Sequence, residues 1–185
     1  MIDDKVRWNE KYKTYPMDQN ISKIVKKYVK KGDGLKALDI ACGKGRNTTH
    51  IAECGYVVDG VDISDFALSC ISEHKNINKQ EIDLDSFIIE PNSYDLIVNI
   101  NYLDRRLFPY IKAALKSGGV VIFETYLEVS DDKEYHQPSN RDFLLRSNEL
   151  LGAFLGLRII YYEEREDINI RDERVKIASL VAQKI

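Results

Sequence analysis

The sequence lacks the features that would place the chain in a membrane, on a nucleic acid or around a metal. Its 185 residues contain no apolar run long enough to span a bilayer. The first residues are acidic and no apolar stretch follows them, which predicts a cytoplasmic protein without a signal peptide. The formal net charge of −3 gives no basic surface for nucleic acid. The three cysteines have no metal-type spacing, so we expect reduced thiols and no metal.

The chain has only ten glycines, and two of them lie within the stretch that indicates most about its function. Residues 37–47, with the sequence ALDIACGKGRN, form a predicted apolar strand, a glycine turn and the start of a helix. Gly43 and Gly45 permit a sharp turn and leave room for a ligand against the backbone N–H groups. The helix that follows points its amide end at that ligand. The pattern therefore predicts a loop for a nucleotide-type cofactor.

The third glycine of a dinucleotide-binding loop is absent. It would follow the second by three residues, and Thr48 stands there. Asp39 lies just before the turn, where a carboxylate would repel a pyrophosphate but would suit the ammonium and sulfonium of a sulfonium amino acid. A structural turn without a ligand is the alternative, and the acidic residue that ends the next strand argues against it.

That acidic residue is Asp62, at the carboxyl end of a strand predicted over residues 56–63. It follows the glycine turn by about 20 residues, the spacing at which a carboxylate accepts hydrogen bonds from ribose hydroxyls. The alternative for Asp62 is an interaction with the amino end of the next helix, which Ser64 caps. Strand, turn and spacing together favour the ribose interpretation.

Further elements are predicted from the local sequence. A helix capped by Asn20 precedes the first strand, and a helix over residues 64–75 is followed by a polar turn over 76–80 and a strand end over 81–85 that holds Asp83. A polar loop over 127–141 precedes a helix capped by Ser147. Cys42 is expected to line the glycine loop, and Cys54 and Cys70 to lie within helices.

The second half of the chain continues the alternation of strands and helices. Residues 94–100 are predicted to form a buried parallel strand, and Asn101 and Tyr102 follow it where open α/β sheets bind ligands. Glu124 stands inside the next central strand, where an unpaired carboxylate is costly, so it has either a chemical task or a partner such as an arginine. Strands at 157–162 and 175–181 are joined too closely for a helical crossover, which predicts an antiparallel hairpin.

Five segments of the chain resemble one family. They are WNEKY at residues 8–12, LDIACGKGRN at 38–47, GVDIS at 60–64, NYLDRRLFP at 101–109 and ETY at 124–126. They are similar to the class I S-adenosylmethionine-dependent methyltransferases, and among these to the small bacterial group related to tellurite-resistance methyltransferases. The resemblance implies an α/β fold: a three-layer Rossmann-like sandwich with a seven-stranded, mostly parallel sheet of order 3-2-1-4-5-7-6 and an antiparallel C-terminal strand.

The resemblance also implies a cofactor, S-adenosyl-L-methionine, with S-adenosyl-L-homocysteine as the product and a small molecule as the methyl acceptor. Asp83 best matches an acid that accepts from the adenine amino group, and Leu84 offers an apolar wall. The expected cofactor residues are Trp8, Tyr12, Asp39, Ala41, Cys42, Gly43, Gly45, Arg46, Asn47, Asp62, Ile63, Asp83, Leu84, Asn99 and Asn101. The acceptor-side candidates, which include any catalytic group, are Tyr102, Arg106, Glu124, Tyr126 and His136.

We expect one domain over residues 1–185, with residues 1–34 as a helical N-terminal lid and 35–185 as the Rossmann-like core. Two alternatives stay open. The Asn-Ile-Asn-Tyr stretch at residues 99–102 faintly resembles the Asn-Pro-Pro-Tyr motif of amino-methylating nucleic-acid methyltransferases, without its prolines. A non-catalytic protein that binds S-adenosylmethionine or S-adenosylhomocysteine is the other. The sequence also leaves open a thiol, metalloid or carboxylate-type acceptor, and a monomer or a dimer.

Overall fold

The computed structural model describes residues 2–32, 34–129 and 134–185 of the chain. Helices are α1 (Ile2–Thr14), α2 (Lys23–Tyr28), α3 (Arg46–Glu53), α4 (Asp65–Ser69), α5 (Leu107–Ala114) and α6 (Glu149–Ala153). Strands are β1 (Lys36–Ile40), β2 (Val57–Asp62), β3 (Ile77–Glu81), β4 (Tyr94–Ile100), β5 (Leu115–Tyr126), β6 (Arg158–Ile168) and β7 (Arg174–Gln183). Single turns of 3₁₀-helix occur at Val29–Lys31 and Arg141–Phe143.

The strands form one sheet in the order β3-β2-β1-β4-β5-β7-β6. The first five strands pair in parallel, whereas β7 lies antiparallel between β5 and β6. This arrangement confirms the predicted order and the predicted C-terminal hairpin. The strand order reverses between β1 and β4, and open α/β sheets bind ligands in the crevice at such a point.

Apolar side chains cover the two faces of the sheet with different helices. On one face, Ile24 and Val25 of α2 and Ile51 of α3 belong to the same buried cluster as β-strand residues. On the other face, Phe108 of α5 and Phe154, which caps the end of α6, pack with Phe123 of β5, with ring centroids 5.6–6.0 Å apart. Central strands such as β1, β4 and β5 supply both clusters because successive side chains point to opposite faces. The result is the predicted three-layer sandwich.

Several element boundaries differ from the sequence predictions. The second helix was expected to begin at an Asn20 cap, but it begins after Ser22, whose backbone N–H donates to the Asn47 side chain at 3.0 Å. The residue that precedes α6 is Asn148 in a left-handed conformation, φ 61°, rather than the predicted Ser147. Ser147 is unavailable as a cap because its hydroxyl donates to Glu164 at 2.7 Å.

The segment after β2 differs most from its prediction. A helix over residues 64–75 and a polar turn over residues 76–80 were expected, but α4 has only five residues and 77–81 form the edge strand β3. Pairing of Val58 with Ile77 and of Asp62 with Glu81 extends the sheet, and that tertiary pairing overrides the polar composition. In consequence Asp83 follows a strand instead of lying within one.

The described residues contain neither a membrane-spanning helix nor a cluster of metal ligands. None of their helices combines the length and the apolar composition needed to cross a bilayer. Across the same three segments, no three side chains of His, Cys, Asp or Glu are grouped closely enough to hold a metal ion.

Candidate active site

The glycine turn after β1 has the backbone geometry that the sequence predicts. Gly43 and Gly45 have φ values of 56° and 77°, a region that favours glycine, and Ala41 adopts φ 52° beside them. A Cβ on Gly43 would lie 2.8 Å from the Tyr12 hydroxyl, so a side chain there would collide with the residue that covers the loop. A Cβ on Gly45 would lie 2.6 Å from Ile71. Conformation and packing therefore both require glycine at position 45, and its contact with a ligand stays a prediction.

Asp62 ties this turn to the end of β2. One carboxylate oxygen accepts from the Gly43 N–H at 2.8 Å, and the other accepts from the Ser64 N–H at 2.9 Å. The Tyr12 hydroxyl makes a longer contact of 3.4 Å to the first oxygen. Burial raises the pKa of Asp62, while the hydrogen bonds from Ser64, Gly43 and Tyr12 act against that shift. Asp62 thus presents a buried, oriented acceptor at the carboxyl edge of the sheet.

Asp39 is a second buried carboxyl group beside the turn. It is 2% exposed and accepts a hydrogen bond from the Thr48 hydroxyl at 2.6 Å. Burial raises its pKa to about 7, with the Thr48 hydrogen bond and the charge of Arg46 acting against the shift. A positive group bound nearby would favour the ionised form. Thr48, which replaces the third glycine of a dinucleotide loop, is therefore the residue that holds Asp39.

Three other predicted cofactor residues make contacts that hold the surrounding chain. Arg46 pairs with Asp18 and donates to the carbonyl of Asn20 at 2.8 Å. Asn47 accepts from the backbone of the segment before α2, and Asn99 donates to the carbonyl of Tyr102 at 2.7 Å. Their direct contact with a ligand stays a prediction.

The remaining predicted cofactor residues differ in orientation. The Cys42 side chain packs with Leu68 and Ile71 of the α4 region rather than lining the open side of the loop. Asn101 adopts φ 60° and is exposed, and its N–H donates to the Glu124 carbonyl at 2.8 Å. The other two cysteines, predicted within helices, lie at the ends of α3 and α4 as C-caps.

The loop after β3 carries the residues expected near an adenine ring. Leu84 is buried in the core, and Asp83 is half-buried with a carboxylate that accepts from the Asp85 N–H at 3.0 Å. Ile63, which follows Asp62, is also half-buried. Apolar and acidic groups therefore occur together here, as expected for a purine site.

Helix α1 lies over this edge of the sheet and is docked on α4. Asn9 accepts from the Ser64 hydroxyl at 2.6 Å and donates to Asp65 at 2.8 Å. Lys5 pairs with Asp65 at 3.0 Å and with Glu81 of β3 at 2.6 Å. These contacts hold the helix in the place from which Tyr12 reaches the glycine turn.

On the acceptor side, the Glu124 carboxylate already has partners within the protein. It lies 3.0 Å from the Arg165 guanidinium and also accepts from the Ser179 hydroxyl, so both partners come from the C-terminal hairpin. The carboxylate is nearly buried, with 12% of the side chain exposed. These contacts fit the structural ion pair that the sequence left open as the alternative to a chemical task.

The two tyrosines of the acceptor side lie at the ends of neighbouring strands, because Ile100 of β4 and Glu124 of β5 are paired. Tyr102 follows β4 and Tyr126 ends β5. Burial raises the pKa of both phenols. For Tyr126, the positive charges of Arg46 and Arg171 act against that shift. Within the described residues neither hydroxyl makes a hydrogen bond, so both can serve a ligand.

The prediction that Arg106 turns toward this cavity is wrong. Arg106 pairs with Asp104 at 2.7 Å and with Asp85 at 2.5 Å, and 62% of its side chain is exposed. Two nearby carboxylates hold it at the surface. His136 lies on the loop after β5 with its Nδ1 3.5 Å from Glu173. Residues 130–133 of that predicted loop lie outside the described residues.

Sequence reasoning did not single out Asn9, Lys11, Arg165 and Arg171. The buried acid of β5 was a signal for Arg165, since such a group needs a basic partner. The sequence also gave no sign of an open cleft of about 580 Å³ on the α5 side. Two ion pairs line it, Arg105 with Glu149 at 2.5 Å and Arg141 with Glu128 at 3.2 Å, and Asp142 and Arg146 add one charge of each sign, so the lining carries no net charge.

A sheet of this order, with a glycine turn after β1 and an acid ending β2, defines the class I S-adenosylmethionine-dependent methyltransferase fold. A family model described as a methyltransferase domain matches residues 9–159, and the chain belongs to that family. Membership confirms the predicted class of protein and its cofactor class.

Curated relatives agree with this assignment. The ubiquinone biosynthesis O-methyltransferase of Coxiella burnetii is 28% identical over 131 residues, 64% of this chain and 56% of that protein. The probable S-adenosyl-L-methionine-dependent methyltransferase TehB of Haemophilus influenzae is 26% identical over 167 residues, 80% of this chain and 57% of that protein. The chain therefore spans somewhat more than half the length of these relatives.

Solved structures show the same fold. TehB from Haemophilus influenzae has a TM-score of 0.75 at 22% identity, covering 98% of this chain and 67% of that one. Phosphoethanolamine N-methyltransferase 2 of Haemonchus contortus, solved with S-adenosyl-L-methionine, has a TM-score of 0.65 at 18% identity, covering 87% of this chain and 51% of that one. The likeness to TehB confirms the predicted resemblance to the tellurite-resistance group.

Proposed function

We propose that the chain transfers a methyl group from S-adenosylmethionine to a small-molecule acceptor. The observation that carries the proposal is the pair of buried carboxyl groups, Asp39 and Asp62, beside one glycine turn at the carboxyl edge of the sheet. Two acids in this place disfavour a pyrophosphate and favour a ligand that offers hydroxyls and a cationic end.

The residues present fit that cofactor. A carboxylate has about four lone-pair positions, and the backbone amides of Gly43 and Ser64 use two of those on Asp62. Ribose hydroxyls can take the remaining positions if they displace the long Tyr12 contact. Asp39 would then face the amino-acid end, and the half-buried Ile63 would give apolar surface to the purine.

The chemistry asks little of acid–base groups. When bound, S-adenosylmethionine supplies a methyl group on a sulfonium, which is already a good leaving system. The chain then has to hold the acceptor in line and exclude water. Helix α1, with Trp8 and Tyr12, covers the loop, and Tyr102 and Tyr126 end neighbouring strands on the acceptor side. Their free hydroxyls support a role in holding a small polar acceptor.

Calorimetry and turnover test the proposal together. Purified protein should bind S-adenosylhomocysteine and not NAD, and it should release S-adenosylhomocysteine when S-adenosylmethionine is mixed with a panel of thiol, hydroxyl and carboxylate acceptors. Binding of NAD would contradict the cofactor assignment. Tight binding of S-adenosylhomocysteine with no turnover on any acceptor would favour a non-catalytic binding protein.

A further inference from the structure

Helix α1 bridges two parts of the molecule. One flank meets α4 through Lys5 and Asn9. Lys11 lies on a different flank of the helix, because each helical residue advances by about 100°. Tyr15 follows the end of the helix one turn beyond Lys11, and its N–H donates to the Lys11 carbonyl at 3.0 Å. This second flank faces the tip of the β6–β7 hairpin. There the guanidinium carbon of Arg171 lies 5.5 Å from the centre of the Tyr15 ring. The helix and the hairpin tip therefore meet over the acceptor side of the sheet.

This flank carries two cations without acidic partners. The Lys11 ammonium lies 4.4 Å over the Trp8 ring, and within the segments that the structure describes neither Lys11 nor Arg171 takes part in an ion pair. The lysines on either side in the same helix differ. Lys5 pairs with Asp65 and Glu81, and Lys13 pairs with Glu10 at 3.1 Å.

The two cations also influence each other. Although the Lys11 side chain is exposed overall, partial burial of its ammonium lowers the pKa, and the charge of Arg171 lowers it further. One acid of the hairpin tip, Glu173, accepts from the Asn169 amide at 2.8 Å and lies beside His136. Two like charges that act on each other are both stabilised when an anion binds between them.

A third group points to a ligand in the same place. Tyr126 ends β5 half-buried, and its hydroxyl has no hydrogen-bond partner among residues 2–32, 34–129 and 134–185. The charges of Arg171 and of Arg46 act on its phenol. Arg46 is already held by Asp18. A half-buried hydroxyl without a protein partner is available as a donor, so a bound group at this place can accept a hydrogen bond from Tyr126.

We propose that the methyl acceptor is a small organic anion, whose negative group is bound by Lys11 and Arg171 and accepts a hydrogen bond from Tyr126. This inference rests on the proposed methyl transfer and names the class of its acceptor. The rings of Trp8 and Tyr15 lie against these two cations. An anion with an aromatic or similarly flat apolar body therefore fits better than a small inorganic ion, which would leave these rings uncovered.

A matched pair of probes tests the charge requirement. Trp8 is the only tryptophan, and Lys11 lies over its ring, so emission reports binding at this position. With S-adenosylhomocysteine saturating, benzoate should change the emission and bind at least about ten-fold more tightly than neutral benzamide. Lys11→Gln and Arg171→Gln should each reduce that preference at least about five-fold, measured also by calorimetry.

Two variants remove the same charge elsewhere. Lys13→Gln lies on α1 but is paired with Glu10, and Arg158→Gln lies at the far end of β6; both should keep the preference for benzoate. If S-adenosylhomocysteine binds normally but benzoate and benzamide bind equally, or neither binds, the acceptor is not recognised by these cations and the inference is overturned. If S-adenosylhomocysteine itself does not bind, the proposed function fails first.

Discussion

The two halves of the carboxyl edge of the sheet hold their charged groups in different ways. At the ends of β1 and β2, Asp39 and Asp62 are held by groups within about ten to twenty residues of sequence, mostly backbone amides of the adjoining turn. At the end of β5, Glu124 is held by Arg165 and Ser179, which are 41 and 55 residues away.

The difference separates two tasks. The cofactor half is a local strand–turn–helix unit in which backbone amides orient Asp62 and the Thr48 hydroxyl orients Asp39, so it suits a ligand of fixed shape. The acceptor half is assembled from α1, β5 and the hairpin tip, so its chemistry can change when any one of these changes. Its polar groups divide into a paired set around Glu124 and an unpaired set around Tyr126.

The largest effect is expected from a substitution that breaks the ion pair between Glu124 and Arg165 in the acceptor half. Arg165→Met leaves the Glu124 carboxylate nearly buried without its cation, which should lower the free energy of unfolding by about 2–4 kcal/mol. Denaturant unfolding, with the exposed Arg158→Met as control, measures the loss. An unchanged midpoint would mean that Glu124 is free for another task, and its conversion to Gln should then reduce methyl transfer.

The second-largest effect is expected from a substitution of Asp62 in the cofactor half. Asp62→Ala removes the acceptor for the Gly43 and Ser64 amides and for the ribose, so affinity for S-adenosylhomocysteine should fall by about 1–3 kcal/mol. Calorimetry measures this, and Glu53→Ala on the exposed surface of α3 should leave affinity unchanged. Equal affinity in Asp62→Ala would remove the ribose assignment.

A pH titration sharpens the role of Asp39. Its pKa is raised to about 7, so below that pH the carboxyl group is protonated in the free protein. Its contribution to folding stability is present at low pH and is lost as the pH rises through 7. A cationic ligand end favours the ionised form, so affinity for S-adenosylhomocysteine should rise up to about ten-fold per pH unit as the pH approaches 7.

Calorimetry in buffers of different ionisation enthalpy should detect release of up to about one proton on binding near pH 6. Asp39→Asn should remove both the proton release and this rise in affinity. If the variant keeps the wild-type pH dependence, another group titrates and Asp39 does not meet the cationic end.

The smallest effect concerns the contact between the two halves through α1. Asn9→Ala removes three hydrogen bonds to the start of α4, each worth about 1 kcal/mol or less, so S-adenosylhomocysteine should dissociate about five- to ten-fold faster. Stopped-flow emission of Trp8 measures the rate, with the exposed Glu10→Ala as control. Bound ligand should also slow proteolysis after Lys11 or Lys13; unchanged emission and cleavage at saturation would argue against a lid.

The contrast between the halves also explains what could be predicted from the sequence. Asp62 and its turn were predictable because strand, glycines and acid lie close together in the chain, where local geometry decides their contacts. Lys11 and Arg171 could not be paired in this way, since 160 positions separate them and only the docking of α1 brings them together.

Two predictions, one for Arg106 and one for the helix after β2, were wrong because other residues offered competing contacts. Arg106 was expected in the cavity, but Asp85 and Asp104 offer it surface partners. The helix expected over residues 64–75 stops at Ser69, because the following residues lead into the edge strand β3. In both cases a contact made only in the folded chain decides between two arrangements that the local sequence allows.

A crystal structure with S-adenosylhomocysteine tests the central claim most directly. We expect Asp62 to accept hydrogen bonds from the ribose hydroxyls and the Tyr12 hydroxyl to have moved away from Asp62. We also expect the sulfur end of the ligand to face Tyr102 and Tyr126. A ligand bound away from the glycine turn, or a ribose turned from Asp62 with Tyr12 still in contact, would contradict it.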